Sequence, residues 1–274
     1  MRRIGIDVGG TNTDAVLLED GRVVHTVKSP TTEDVTGGIV SALGLLRQKP
    51  AVTRGKIDGV VIGTTHFINA VVQRRHLAKI AAIRIGMPAA ASLPPFCDWP
   101  QDLAALCCGE IFMVEGGHDY DGREIMPFDE AHMRAAAQRI RDEGITSFAV
   151  SSIFSPLDPS HEERAAAILA VECPDSRVTL SHKLGRIGLL ERENAALLNA
   201  ALGDLAQVTI DGFRSAIAAS GIEAPLFIAQ NDGTVMSAET AMALPVMSFA
   251  SGATNSMRGA AFLSGLKDAI LVDV

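Results

Sequence analysis

Apolar and polar positions alternate from the start of the chain. Ile4, Ile6 and Val8 interleave with Gly5 and Asp7, which predicts a strand with its apolar side chains on one face and Asp7 on the other. Gly9-Gly10 follows, a pair suited to chain reversal with φ > 0. Thr13–Leu18 reads as the return strand and, past Gly21, Arg22–Lys28 as a third, so the N-terminus is expected to be an antiparallel meander. Thr31, Thr32, Glu33 and Asp34 look like a helix start, with the helix running to about Arg47. Gly59–Ile62 is a short apolar strand ending in the polar cluster Gly63-Thr64-Thr65-His66. A helix through Asn69–Arg75 and a strand at Lys79–Ile85 follow, and this alternation predicts an α/β layered domain.

Met87–Pro100, with Pro88, Pro94, Pro95 and Pro100, breaks the pattern and is read as an irregular excursion. Gly116–Gly122 is a turn-rich loop. Then come a helix (Asp129–Glu143), a strand (Ser147–Ile153), a helix (Ser160–Val171) and a strand near Val178. Ala195, Leu198, Leu202, Leu205 and Ala206 share helical spacing, so Glu191–Ser220 is expected to be the longest helix, stopped at Gly221. A strand at Leu226–Ala229 leads into the turn Gln230-Asn231-Asp232-Gly233, followed by a short helix near Ser237–Met242. A glycine-bearing loop, Ser251–Ser256, precedes a helix from about Met257, and Ala269–Val274 reads as an apolar strand. Ile4–Val8 and Ile270–Val274 share one pattern ending in Asp-Val. The repetition suggests a duplicated fold in which two hairpins grip one nucleotide, and the chain is expected to be a fragment of a longer one.

Composition narrows the classes. The 274 residues are 47% hydrophobic and 20% charged, enough for a sizeable core in one or two domains. A formal net charge of −8 argues against a nucleic-acid surface, which needs clustered Lys and Arg. The start, MRRIGIDV, has no apolar signal region, and no apolar run is long enough to span a membrane. Cys97, Cys107, Cys108 and Cys173 form no C-x-x-C pair, which fits reduced thiols in a cytoplasm. Neither a P-loop, a dinucleotide fingerprint, a nucleophile elbow nor an H-E-x-x-H zinc motif is present.

The polar clusters carry the candidate chemistry. A tight glycine hairpin offers backbone N–H groups to an anion, and Asp7 with Asp14 nearby suits Mg²⁺; the alternative is an ordinary hairpin. His66 either orients a carbonyl or acts as acid–base, or it is an exposed residue beside an N-cap at Thr65. Asn231-Asp232-Gly233 is a site or a common turn. Ser251–Ser256 faces an anion or simply caps a helix. His118, Asp119 and Asp121 read as a surface turn rather than as ligands. Glu191, Arg192 and Glu193 read as a solvated helix start, with Arg192 reaching a substrate carboxylate as the alternative.

DVGGTNTDAVLL resembles the first phosphate motif of the actin-like and sugar-kinase ATPase superfamily. GTTHFINAVVQRR, FSPLDPSHEERAAAIL, LLERENAALLNAAL, QNDGTVMSAE and SGATNSMRGAA, in that order, are similar to the hydantoinase/oxoprolinase family, the ATP-dependent A-type subunit. The resemblance implies an actin-like ATPase (ribonuclease-H-like) α/β fold with a mixed sheet, incomplete in this fragment. Residues 1–185 would be the N-terminal domain, and 186–274 the start of the A domain, cut before the second phosphate loop. It also implies ATP with Mg²⁺, and hydrolytic opening of a cyclic amide (hydantoin, lactam or 5-oxoproline) through phosphorylation of the amide oxygen. A B-type hydantoinase subunit or a homo-oligomer is the implied partner, and the fragment alone is expected to be inactive. Asp7, Gly9, Gly10, Thr11, Asn12 and Thr13 match the first phosphate loop, Asp7 also as the metal ligand, and Asp273 matches the start of the second. Asp7, His66 and Asp232 are the implied catalytic residues; Thr64, Thr65, Asn69 and Asn231 are the implied substrate contacts. Two other readings stand beside this one. In the first, a sugar-kinase-like enzyme uses Asn231-Asp232 as its Asn-Asp pair. In the second, a non-enzymatic actin-like domain senses nucleotide by closing.

Overall fold

In a computed structural model, which describes residues 1–32, 35–53, 55–266 and 268–272, the opening alternation becomes strand β1 (Arg2–Val8). Ile4, Ile6 and Val8 are 0%, 3% and 4% exposed, while Asp7 on the opposite face is exposed. β2 (Asn12–Glu19) returns antiparallel with Asp7 opposite Asp14, and β3 (Arg22–Pro30) completes the meander with Lys28 opposite Asp14. Helix α1 (Val35–Arg47) and the short α2 (Pro50–Thr53) follow; Glu33 and Asp34 of the expected helix start lie outside the described residues. β4 (Gly59–Thr64) then runs parallel to β1, placing Gly63 beside Asp7 and Thr64 beside Val8, and leads into α3 (His66–Gln73).

Here the chain leaves one compact unit (Met1–Gln73 with Leu205–Val274) to build another, Arg74–Asp204. The second unit runs β5 (Ile80–Met87), α4 (Gln101–Cys107), β6 (Cys108–Glu115), α5 (Glu130–Asp142), β7 (Ser147–Ser152), α6 (Ser160–Glu172), β8 (Arg177–Leu180) and α7 (Leu189–Ala201). Its sheet is wholly parallel, in the order β6-β5-β7-β8. Met133, Ile140, Ile168 and Leu169 of α5 and α6 close over Ile83, Phe148 and Val150. The single long helix expected over Glu191–Ser220 is two helices. α7 ends at Ala201, capped by Leu202, and α8 (Gly203–Ala219) begins at the poorest helix former short of proline.

α8 carries the chain back into the first unit, where β9 (Leu226–Ala229), β10 (Val235–Ser237), α9 (Ala238–Ala243) and α10 (Ser251–Ser264) follow. The sheet order is β10-β9-β4-β1-β2-β3, a mixed sheet in which β1, β4 and β9 are parallel. One face is the core: Ile39, Leu43 and Leu46 of α1 and Ile210, Phe213 and Ile217 of α8 bury Ile4, Ile6, Ile62 and Ile228. Each such side chain contributes roughly 1.5–3 kcal/mol. The other face carries Gly5, Asp7, Asp14 and Gly63 beside Val16, Leu18 and Val61.

Two further expectations are corrected. Ser251–Ser256 is the opening of α10, with Ala250 left-handed (φ 55°) at its cap, rather than a loop before a helix at Met257. Of the expected strand Ala269–Val274, residues 269–272 lie in no strand, and Asp273 and Val274 lie outside the described residues. Among the described residues no helix is long and apolar enough to cross a membrane.

Candidate functional site

Parallel pairing aligns the ends of β1, β4 and β9 at one edge of the first unit's sheet. Gly9–Thr11 follows β1, Thr65–His66 follows β4, and Gln230–Asp232 follows β9, so three clusters far apart in sequence share that edge. Such edges are where open α/β sheets form ligand sites.

The hairpin turn is held from below. Gly9 N–H donates to the Asn12 carbonyl at 3.0 Å, and the Thr31 hydroxyl donates to the Gly9 carbonyl at 2.9 Å. Thr13 is fully buried with its hydroxyl 3.0 Å from that of Thr31, so its side chain supports the turn from inside. Asn12 is half-buried, and Thr11 and Gly10 are exposed. Neither glycine uses positive φ, which corrects the expected reason for the pair. A Cβ on Gly9 would lie 3.2 Å from the Asn12 carbonyl oxygen, whereas one on Gly10 would meet nothing within 4 Å. Gly9 serves the turn, and Gly10 leaves the approach to it open. Thr31→Val should cost about 1–2 kcal/mol, because it strands the Gly9 carbonyl and the buried Thr13 hydroxyl. Chemical denaturation measures this directly.

A cleft of about 850 Å³ lies over the open face, with Asp7, Gly9, Asp14, Gly63, Thr65 and Asn255 in its wall. Asp7 and Asp14 are cross-strand partners, like charges that destabilise a sheet unless a cation sits between them. Lys28 lies 3.5 Å from Asp14. A Cβ on Gly63 would lie 3.3 Å from Asp7 Oδ1 and 3.2 Å from Asn255 Nδ2, so carboxylate and amide converge over the bare glycine. Asn255 stands in the wall with Gly252, Ala253 and Ser256, all of them placed in a loop by the sequence reading. The available signal was Gly63, which interrupts an otherwise apolar strand.

At the end of β4, Thr64 is buried and its hydroxyl accepts from His66 N–H at 3.1 Å. The Thr65 hydroxyl accepts from Asn69 Nδ2 at 3.2 Å. Both threonines therefore shape the start of α3, leaving His66 half-buried at its first position. Asn231 is bonded through its backbone to Met247 and to the Thr254 hydroxyl. Asp232 accepts from the Thr234 N–H (2.8 Å) and hydroxyl (2.7 Å), which hold its carboxyl below the usual carboxylate range. With Gly233 at φ +81°, this is a self-capped turn joining β9 to β10. Asp273 lies outside the described residues.

Both readings of Arg192 fail. It is buried in the second unit, donating to the Ser181 hydroxyl at 2.8 Å and to the carbonyls of Arg186, Ile187, Gly188 and Ser152. His118 is buried as well, at 2% exposure, and is no surface-turn residue; Asp119 and Asp121 do cap that turn, bonding Tyr120 and Arg123.

Residues 3–173 match the family described as the hydantoinase/oxoprolinase N-terminal region, and residues 192–274 match hydantoinase/oxoprolinase. The caprolactamase alpha subunit of Pseudomonas jessenii is 25% identical over 262 residues, 84% of this chain and 35% of its own. The acetophenone carboxylase gamma subunit of Aromatoleum aromaticum is 27% identical over 300 residues, 99% of this chain and 41% of its own. Among solved structures, the ATP-dependent caprolactamase of Pseudomonas jessenii superposes with a TM-score of 0.75 at 24% identity. Nucleotide-free acetone carboxylase does so with 0.74 at 19% identity. Both structures cover 97% of this chain, which spans 41% of each. At these identities the likeness is one of fold, the actin-like α/β fold. The chain spans well under half the length of the relatives it matches.

Proposed function

Because the chain belongs to the hydantoinase/oxoprolinase family, we propose that it uses ATP to open a cyclic amide such as a hydantoin, a lactam or 5-oxoproline. The observation that carries this reading is the carboxylate pair Asp7–Asp14 on an open sheet face, beside a glycine turn whose approach is clear.

An amide carbonyl is a poor electrophile. Attack of its oxygen on the γ-phosphorus forms an O–P bond, breaks the bond to the bridging oxygen and releases ADP. Water then adds to the carbon of the imidate phosphate and the ring C–N bond breaks, leaving the ring nitrogen as an amine and the carbonyl carbon as an acyl phosphate, which a second water hydrolyses to the opened acid and phosphate. For such a transfer a protein mainly positions the reactants and neutralises charge. The N–H groups of Gly10 and Thr11 would receive phosphate oxygens. Asp7 and Asp14 suit Mg²⁺, which would neutralise charge on the transferring group. Asn255 faces the same place across Gly63, and Thr65 and His66 border the edge where the ring would lie. Asp232, committed to its turn, keeps the third cluster in shape. A B-type subunit is the proposed partner, since the relatives named above are subunits.

The test incubates the natural protein containing this chain, with and without its partner, with ATP and a panel of hydantoins and lactams. Ring opening should be coupled to ADP release; opening at the same rate without ATP overturns the reading. Gly10→Ala should melt as the parent does, because the new methyl has open space, yet lower coupled turnover about tenfold by obstructing the phosphates. The carboxylases among the relatives favour a second reading, in which ATP drives carboxylation of a ketone. Incorporation of label from bicarbonate into product separates the two.

A further inference from the structure

The second unit holds a polar centre that the reading above does not use. β5 has β6 on one side and β7 on the other, all parallel, so the chain reverses its direction of sheet growth there. The carboxyl ends of strands at such a switch point are where α/β sheets place ligands. At that end the loop after β6 supplies His118 and Glu124, and α6, the helix after β7, supplies His161. One ring nitrogen of each histidine and one carboxylate oxygen of Glu124 lie within 4.8 Å of one another, the one such set among the described residues. His161 is fully buried, its ring centroid 4.2 Å from that of His118, and Glu124 is half exposed.

The second observation is at His118. Its Nδ1 is buried and has no hydrogen-bond partner, while its Nε2 lies 3.7 Å from Asp158 Oδ2. A carboxylate behind one imidazole nitrogen and a bare lone pair on the other is the way metal-bound histidines are held. His161 is set differently. Its Nδ1 accepts from Gly117 N–H at 2.9 Å, and its Nε2 donates to Glu124 Oε1 at 2.9 Å. The peptide joining Gly116 and Gly117 lies between two glycines at φ +140° and +96°. Turned over, it would present the Gly116 carbonyl to Nδ1. In that arrangement the proton would sit on Nδ1 instead of Nε2, the ring would stay neutral, and Nε2 and Glu124 would both be free to bind a cation.

We propose that His118, Glu124 and His161 bind a divalent first-row transition ion. Two imidazoles and a carboxylate suit Zn²⁺, Co²⁺ or Mn²⁺, and three protein ligands leave a coordination position to water or a substrate atom. This site is separate from the Asp7 cleft and does not depend on the function proposed for it.

The experiment uses tag-free protein freed of metal by chelator, titrated with Zn²⁺ by calorimetry and with Co²⁺ by visible absorption. One equivalent of Zn²⁺ should bind, Co²⁺ should give d–d bands that Zn²⁺ bleaches, and Zn²⁺ should raise the melting temperature. His118→Ala and Glu124→Gln should each weaken binding about tenfold or more, and Asp7→Asn should leave it unchanged. Should His118→Ala fail to fold, Glu124→Gln decides, because Glu124 is half exposed. Absence of stoichiometric binding, binding unaffected by Glu124→Gln, or binding lost in Asp7→Asn would each overturn the proposal.

Discussion

Asp7→Asn is expected to lower ATP-dependent ring opening by roughly two to three orders of magnitude, because it loosens the hold on the Mg²⁺ that would neutralise charge on the transferring group. Its melting temperature should stay within about 2 °C of the parent, because the Asp7 side chain is exposed and off the core face. Coupled ADP release and ring opening measure the first effect, and thermal unfolding the second. A purely structural Asp7 would give the opposite pattern, with melting lowered and residual turnover near that of the parent.

Arg84→Met should destabilise the second unit by about 3–5 kcal/mol, the cost of leaving a buried charge without its partner. Arg84 is fully buried in β5, with Nε 2.8 Å from Glu193 Oε1, a second nitrogen on Oε2 and a third on the Leu93 carbonyl. The Ser151 hydroxyl adds a 2.5 Å bond to Glu193. Removing the guanidinium leaves the Glu193 carboxylate in the interior with one hydroxyl for company, and it frees the proline-rich stretch that Leu93 anchors. Arg84→Met combined with Glu193→Leu should recover most of the loss. Urea unfolding of the four proteins in the cycle tests this, and additivity of the two single changes would refute the pairing.

What could be read from the sequence follows from period and burial. β1 and β2 alternate cleanly, and that alternation alone put Asp7 on the open face. The clusters after β4 and β9 were recognised because polar residues crowd the end of an apolar run, but only parallel pairing shows that they share an edge with the hairpin. Arg192 and His118 misled for one reason: a charged residue in a polar string looks solvated, and nothing local announces that carbonyls or a neighbouring imidazole will enclose it. The opening of α10 was missed because Gly252, Thr254, Asn255 and Ser256 are weak helix formers. There the Thr254 hydroxyl bond to the Asn231 carbonyl, a tertiary contact, accompanies helix where propensity argued for loop. Glu193 was legible as helical but not as half of an ion pair with a strand residue 109 positions earlier.

The split of the first unit into Met1–Gln73 and Leu205–Val274 has a consequence during synthesis. When β1–β4 leave the ribosome, β9 has yet to be translated, so one edge of β4 stands without a neighbour while the whole second unit is made. At ~5–20 residues per second the wait is roughly ten to thirty seconds, long enough for a bare strand edge to recruit another nascent chain. Yield in a cell should therefore depend on elongation speed and on chaperone occupancy through that stretch, even for variants whose finished state is as stable as the parent's.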